Sequence, residues 1–358
     1  GGADNDTINL LGGLTSTTIY GGSGNDLISI SGGVTSDQLF FGDGNDTLFI
    51  AGAVSTTTID VGGGADSITL SGGNARDFTL TGSLSGTTLL GDAGADTVLV
   101  AAAMSSGFIS QGAGVDSLFF STTVTNTTVV SGGGEDTISL SGAADNLILS
   151  AFSVSRVFAG SGADTLRFIG SATGVTVDAG ADADSLYFAG NALTSSIAGG
   201  DGADTIWVSA SSTASSMAGG SGADVFVYQG ISSLDSLFGD SGADSFNFQS
   251  DVTRSTMEGG ADGDSFVFAG TLVTASISGG SGNDFISLAG TALTSTLTGG
   301  ADNDTFLVNT LQNSYISGDT GVDSVLISGA LISSTIDFGA GDEQFTLTVD
   351  STTSSILG

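Results

Sequence analysis

The sequence predicts an all-β fold, a right-handed parallel β-solenoid (a β-roll or β-helix) of about 17 coils of about 20 residues, with two short strands per coil. Three observations predict it. A hexapeptide of the form G-G-x-G-x-D returns 17 times, mostly at 20-residue spacing; a short alternating stretch follows each copy; and a Ser/Thr run ending in one aliphatic residue completes each period. Self-similarity at a fixed short period marks a repeat architecture in which each unit buries its apolar face only against its neighbours.

The stretch after each acidic residue reads T-I-N-L at Thr7 to Leu10, T-I-W-V at Thr205 to Val208 and S-F-V-F at Ser265 to Phe268. Alternation with β-branched and aromatic residues means a strand with one buried face. The eighth and tenth residues of each repeat, such as Ile8 with Leu10 and Phe266 with Phe268, are therefore assigned to the core. A small-residue turn such as S-G-G follows. Next comes a second strand with one inward residue, as at Ile19, Leu39, Ile59, Ile109, Ile197, Ile277 and Ile336, and with hydroxyls expected outside. No linker or shift in composition divides the chain, so residues 1–358 are read as one domain. The spacing falls to 19 between Gly299 and Gly318, and stretches to 30 after Val61 and 28 after Ser131. Insertions are therefore expected near 71–90 and 141–158, holding Arg76 and Arg156, whose cations pair locally or with a neighbouring chain.

Composition narrows the function. The formal charge of −34 comes from 38 Asp and Glu against four Arg, with no Lys and no His. That argues against nucleic acid and anionic membrane as partners. The apolar runs are too short to span a bilayer, so no direct membrane insertion is expected. Without Cys or His the usual zinc and transition-metal ligands are missing. Disorder is excluded because 39% of residues are hydrophobic and recur at fixed places. A compact body this acidic needs counterions, and divalent metal held by carboxylates supplies them.

The candidate ligands stand at the sixth position of the hexapeptides: Asp6, Asp26, Asp46, Asp66, Asp96, Asp116, Asp136, Asp164, Asp184, Asp204, Asp224, Asp244, Asp264, Asp284, Asp304, Asp323 and Glu343. Glycines at the first, second and fourth positions permit positive φ and let carbonyls converge. Calcium takes about six to eight oxygens, so carbonyls with a few carboxylates are a suitable donor set. The hexapeptide with its strand is the nonapeptide G-G-x-G-x-D-x-U-x, and on these residues the chain resembles the RTX (hemolysin-type) calcium-binding repeat family over essentially its whole length.

The resemblance implies that each Ca2+ ion lies between one loop and the next on the same edge, taking carbonyls and the position-six carboxylate from both. Asp6 and Asp26 would share one ion, Asp26 and Asp46 the next, giving up to about 16 ions in one row. The second turn of each coil lacks the Asp pattern, a departure from the two-loop coils of the family, so a single row is expected. Further acids lie inside the loops: Asp4, Asp182, Asp262 and Asp302 at position four, Asp92, Asp240 and Asp319 at position two, Asp43 and Asp201 at position three. They either add ligands or face water. Glu343, with its longer side chain, is the least certain to fit.

Position nine points outward yet holds Phe49, Leu99, Phe119, Tyr187, Trp207, Val227, Val267, Leu307 and Leu326, a stripe expected to mark a lateral contact. Both ends of the sequence stop inside the repeat pattern, which reads as an uncapped unit or a fragment of a larger protein. Together these features favour an extracellular or cell-surface structural protein that self-associates into a filament, sheath or surface layer. The alternative is the repeat module of a larger secreted toxin, hydrolase or adhesin that folds on calcium after export. No irregular carboxylate pair stands out from the repeat, so no enzymatic activity is expected. Ice binding through Ser/Thr rows such as Thr17, Thr57 and Thr127 is a weaker rival.

Overall fold

Each alternating stretch forms a strand, most of them four residues long, and buries the eighth and tenth positions of its repeat. The computed structural model describes every residue except 73–75, 133, 135, 142, 143, 146, 151–154 and 350. Strands, bridges, turns and bends account for all regular structure among the described residues, and the pairing between successive coils is parallel. The chain divides into two compact units, Gly1–Ala179 and Gly180–Gly358.

In the first unit, Thr7–Leu10, Leu27–Ile30, Thr47–Ile50 and Ser67–Leu70 stack in one sheet. Thr18–Ser23, Gln38–Asp43 and Val54–Asp60 stack in the opposite sheet. Positions eight and ten fill the space between, with Ile28, Ile30, Leu48 and Ile50 almost wholly buried. A short two-residue strand such as Val34–Thr35 follows the first strand, so many coils hold three strands where the sequence predicted two. The cause is position 14, where Val34, Val54 and Leu84 also turn inward. At position 16 the chain then turns a tight corner in the left-handed region, with φ of 57° at Ser36 and 48° at Thr56, a conformation that costs an L-residue roughly 1–2 kcal/mol.

The insertion near 71–90 is absorbed as half a coil. After Ser67–Leu70 the chain crosses to the opposite sheet as Arg76–Thr81, which pairs with Val54–Asp60 on one side and Asp96–Val100 on the other. Thr88–Leu90 then takes the place in the first sheet between Ser67–Leu70 and Phe108–Ser110. The 30-residue spacing is thus one and a half coils. From Asp96 onward the strand after each acidic residue lies in the opposite sheet, as Asp96–Val100, Ser117–Phe120 and Thr137–Leu140. The 28-residue spacing reverses the exchange: Thr165–Phe168 pairs with Leu147–Ser150 in the first sheet. Part of that second insertion lies outside the described residues.

The second unit repeats the regular coil. Strands such as Thr205–Val208, Val225–Tyr228 and Ser245–Phe248 form one sheet, and Ser216–Ser221, Ser236–Ser241 and Thr256–Ala261 the other. Identical positions face each other in a parallel in-register stack. Phe226, Phe246 and Phe266 therefore stack face to face with ring centroids 4.6 Å apart, and Tyr228 lies 4.7 Å from Phe248 in a parallel column.

Candidate metal centre

The register that stacks the core also stacks the acids. Within each row the main-chain N–H of one position-six residue donates to Oδ1 of the next. Asp6 donates to Asp26 at 2.8 Å, Asp26 to Asp46 at 2.7 Å and Asp46 to Asp66 at 2.9 Å. Asp96 donates to Asp116 at 2.8 Å and Asp116 to Asp136 at 3.0 Å. In the second unit the same bond runs without a break from Asp184 through Asp204, Asp224, Asp244, Asp264, Asp284 and Asp304 to Asp323, at 2.7–2.9 Å.

The other oxygen of each carboxylate is the chemically telling one. Oδ2 of Asp26, Asp46, Asp66, Asp116, Asp204, Asp224, Asp244, Asp264, Asp284, Asp304 and Asp323 is buried and has no hydrogen-bond donor. Where the loop opens on glycine, as for Asp26, Asp204, Asp224, Asp244 and Asp264, it faces that glycine. A β-carbon on Gly21 would lie 2.5 Å from Oδ2 of Asp26 and 2.6 Å from the carbonyl oxygen of Phe41, which opens the following loop. The same pair of oxygens, one carboxylate and one carbonyl from the next coil, crowds Gly239, Gly259, Gly279 and Gly318. Two electron-rich oxygens directed into one water-poor space with no proton between them is an arrangement that a hard cation resolves.

Electrostatics agrees. Burial pushes the carboxyls of Asp224, Asp264 and Asp304 up to about 7, and those of Asp66, Asp244 and Asp284 up to about 6. The backbone N–H bonds oppose the rise, and charged neighbours in adjacent loops add to it. Among the described residues no three acidic side chains converge. Each gap between coils offers two carboxylates, so main-chain carbonyls must complete a calcium shell. The donor set fits Ca2+: all oxygen, anionic and spaced by one coil.

The expected single row is corrected in the first unit. Asp6, Asp26, Asp46 and Asp66 lie on one edge, Asp96, Asp116 and Asp136 on the other, and Asp164 precedes a strand of the first sheet again. A half-coil insertion rotates everything after it by half a turn. The second unit keeps its row, Asp184 to Glu343, on one edge. Counting neighbours within each unit, the rows offer three, two and eight gaps among the described residues, thirteen where the sequence suggested about 16. Glu343 is half-buried, its Oε1 lacks a donor, and it stands beyond the last bond of the carboxylate ladder.

Of the extra loop acids, Asp182, Asp262 and Asp302 adopt the expected left-handed conformation, with φ of 80°, 72° and 76°, and Asp240 and Asp319 share it. Asp4 and Asp43 are exposed, and Asp201 accepts the Ser221 hydroxyl. Asp92 instead holds Arg76. Local pairing is thus the fate of that cation, while Arg156 is exposed at the strand beside Thr137.

Sequence reasoning missed a second ladder. Position 17 was assigned an outward hydroxyl, yet Thr57, Thr87, Thr127, Ser215 and Ser255 are buried. In the second unit the N–H of Ser195 donates to Oγ of Ser215, that of Ser215 to Oδ1 of Asp235, and that of Asp235 to Oγ of Ser255, at 2.9–3.2 Å. This is the acidic ladder rebuilt largely with hydroxyls. Asp235 sits inside it, fully buried, and also accepts the hydroxyls of Ser212 and Ser232. The signal was present as a column of Ser and Thr at one position. Burial of Thr57 and Thr127 also removes them from any ice-facing surface.

The outward stripe is split as well. Leu99 and Phe119 lie in the sheet opposite Phe49. In the second unit Tyr187, Trp207, Val227, Val267, Leu307 and Leu326 do form one register column, interrupted by Asn247 and Ser287.

A family model for the RTX calcium-binding nonapeptide repeat, in four copies, matches residues 11–48, 189–212 and 276–292. Among solved structures, a hyperactive, Ca2+-dependent, β-helical antifreeze protein from an Antarctic bacterium is 20% identical, with 87% of this chain and 83% of that chain covered and a TM-score of 0.37. No curated protein matches the chain.

Proposed function

We propose, from the premise that the chain carries RTX calcium-binding nonapeptide repeats, that it is a calcium-stabilised extracellular structural protein that assembles with copies of itself. The observation that carries the calcium reading is the column of buried Oδ2 atoms without donors, which at Asp26, Asp244, Asp264, Asp284 and Asp323 share the space beside the loop's first glycine with a carbonyl of the next coil. Binding to the native state alone stabilises it, and repeated sites multiply the gain. Sites with only two carboxylates, completed by main-chain carbonyls, work where calcium is abundant, which favours life outside the cell. The reading is non-catalytic, because the acids serve the repeat.

Self-association is supported by charge and by surface. Thirteen divalent ions would bring the formal −34 to −8 and remove most of the repulsion between copies. The column through Tyr187 and Trp207 then offers apolar area, with the two rings 6.0 Å apart edge to face. Circular dichroism and sedimentation velocity, with calcium and with chelator, test the two parts separately. Strand signal that survives excess chelator unchanged refutes calcium-dependent folding. A calcium-loaded protein that stays monodisperse at high concentration refutes self-assembly and moves the reading to a module of a larger secreted protein. Trp207→Asp and Tyr187→Asp are expected to abolish side-by-side association without altering the dichroism.

A further inference from the structure

Arg76 is buried, at 2% exposure, in a chain with only four cations. A guanidinium stays protonated at any working pH and is costly to bury without anionic partners. Its place in the fold is specific. Arg76 is the register partner of Asp96, so it occupies position six in the coil ahead of the second acidic row. Everywhere inside the rows an Asp stands there and gives its N–H to Oδ1 of the next Asp. Here the N–H of Arg76 donates to the carbonyl of Ala95, at 3.3 Å, and only weakly favours the Asp96 carboxylate. Oδ1 of Asp96 is left without a hydrogen bond and lies 3.7 Å from Nη1 of Arg76. The guanidinium also takes both oxygens of Asp92, the position-two acid of the same loop.

We propose that Arg76 is a built-in cation that fills the inter-loop position calcium takes elsewhere, so that the gap ahead of Asp96 is closed without metal. The inference rests on the calcium reading above. The geometry accounts for each part of it. A half-coil insertion begins a new row on a fresh edge, and the first carboxylate of that row has no acidic neighbour behind it with which to share an ion. Without an acid from the preceding coil the gap has carboxylates from one loop alone, not one from each side, whereas a planar fork satisfies Asp92 at two points and faces Asp96 as well. The opposite end of the row is closed differently, since Ser155 is aligned with Asp136 and brings no charge. Row two therefore carries its metal only in the gaps Asp96 to Asp116 and Asp116 to Asp136.

Crystals of the full chain grown in calcium, with anomalous difference maps collected for the wild type and for Arg76→Asp, test this directly. Peaks are expected in the regular gaps of both proteins and beside position 76 in the variant alone. A calcium peak beside Arg76 in the wild type, or none beside position 76 in a folded Arg76→Asp, overturns the proposal. Peaks in no gap at all overturn the calcium reading itself. Hydrogen exchange on Arg76→Gln gives a second measurement should the aspartate variant not fold. Amides of Arg76–Thr81 and Asp96–Val100 are expected to exchange at least about tenfold faster than in the wild type under chelator. Exchange unchanged from the wild type under chelator sinks the idea.

Discussion

The N–H of Asp244 donates to Oδ1 of Asp264 at 2.7 Å, so each carboxylate in the row is fixed by the main chain of its neighbour before any ion arrives. The bond orients Oδ2 toward the first glycine of the loop and separates two jobs within one side chain. One oxygen holds the coil register and the other is free to bind.

Asp264→Asn keeps the acceptor for Asp244 and removes the charge. Burial holds the Asp264 carboxyl up to about 7, with charged neighbours in Asp244, Asp284 and Asp262 adding to the shift. Its neutralisation is therefore expected to stabilise the calcium-free protein, by on the order of 1–2 kcal/mol, and to weaken calcium binding in the two flanking gaps. Thermal melts with and without calcium would show shifts of opposite sign. Shifts of the same sign would count against the double role.

Stability should depend on pH in opposite directions with and without metal. Carboxyls such as Asp224 and Asp304 sit near 3.8 when unfolded and about 7 when folded, so the fold favours their protonated form. Without calcium the stability they contribute is full below pH ~4 and lost as pH rises through 6 to 7. With calcium, which requires the ionised form, stability is expected to rise over the same window. Denaturant titrations at pH 5 and pH 7.5 in chelator and in calcium measure both slopes.

Gly239→Ala tests the cradle rather than the ligand. The added β-carbon would collide with Oδ2 of Asp244 and the carbonyl of Gly259, while Gly239 itself has no positive φ, so lack of space is the whole cost. A loss of about 1–3 kcal/mol is expected, with the ion of that gap gone from an anomalous map. Gly12→Ala meets nothing within 4 Å and serves as the control.

Phe246→Ala removes the middle ring of the stack formed with Phe226 and Phe266. A cavity of this kind costs roughly 3–5 kcal/mol. Because each coil touches only its neighbours, hydrogen exchange should accelerate most in Val225–Tyr228 and Ser265–Phe268 and little in Thr305–Gln312. Uniform acceleration over the second unit would show that its coils unfold together.

The coil, its inward residues and the acidic row were legible because each recurs at one position with one chemistry. Ile28 and Phe266 alternate with polar neighbours, and alternation has a single structural meaning. Position 17 was misjudged because Ser and Thr carry no such signal: Ser215 is as polar as the exposed Ser216, and only the corner at Ala214, with φ of 54°, turns it inward. The exchange of edges was written in the number 30, but spacing alone does not distinguish half a coil from a surface loop. That distinction depends on which strands pair, and Arg76–Thr81 discloses it only by lying between Val54–Asp60 and Asp96–Val100.

The half-coil makes chain length a form of address. In a stack that alternates between two sheets about every ten residues, an insertion or deletion of that size leaves every strand a partner and changes only the edge on which later loops emerge. Removing ten residues between Asp66 and Asp96 would realign Asp96 behind Asp66 and merge two short rows into one of seven carboxylates. Removing five would place core positions on the surface and leave strands unpaired. Gains and losses that come in half periods are thus a neutral currency for this architecture, and they set where its charge is displayed without asking the core to change.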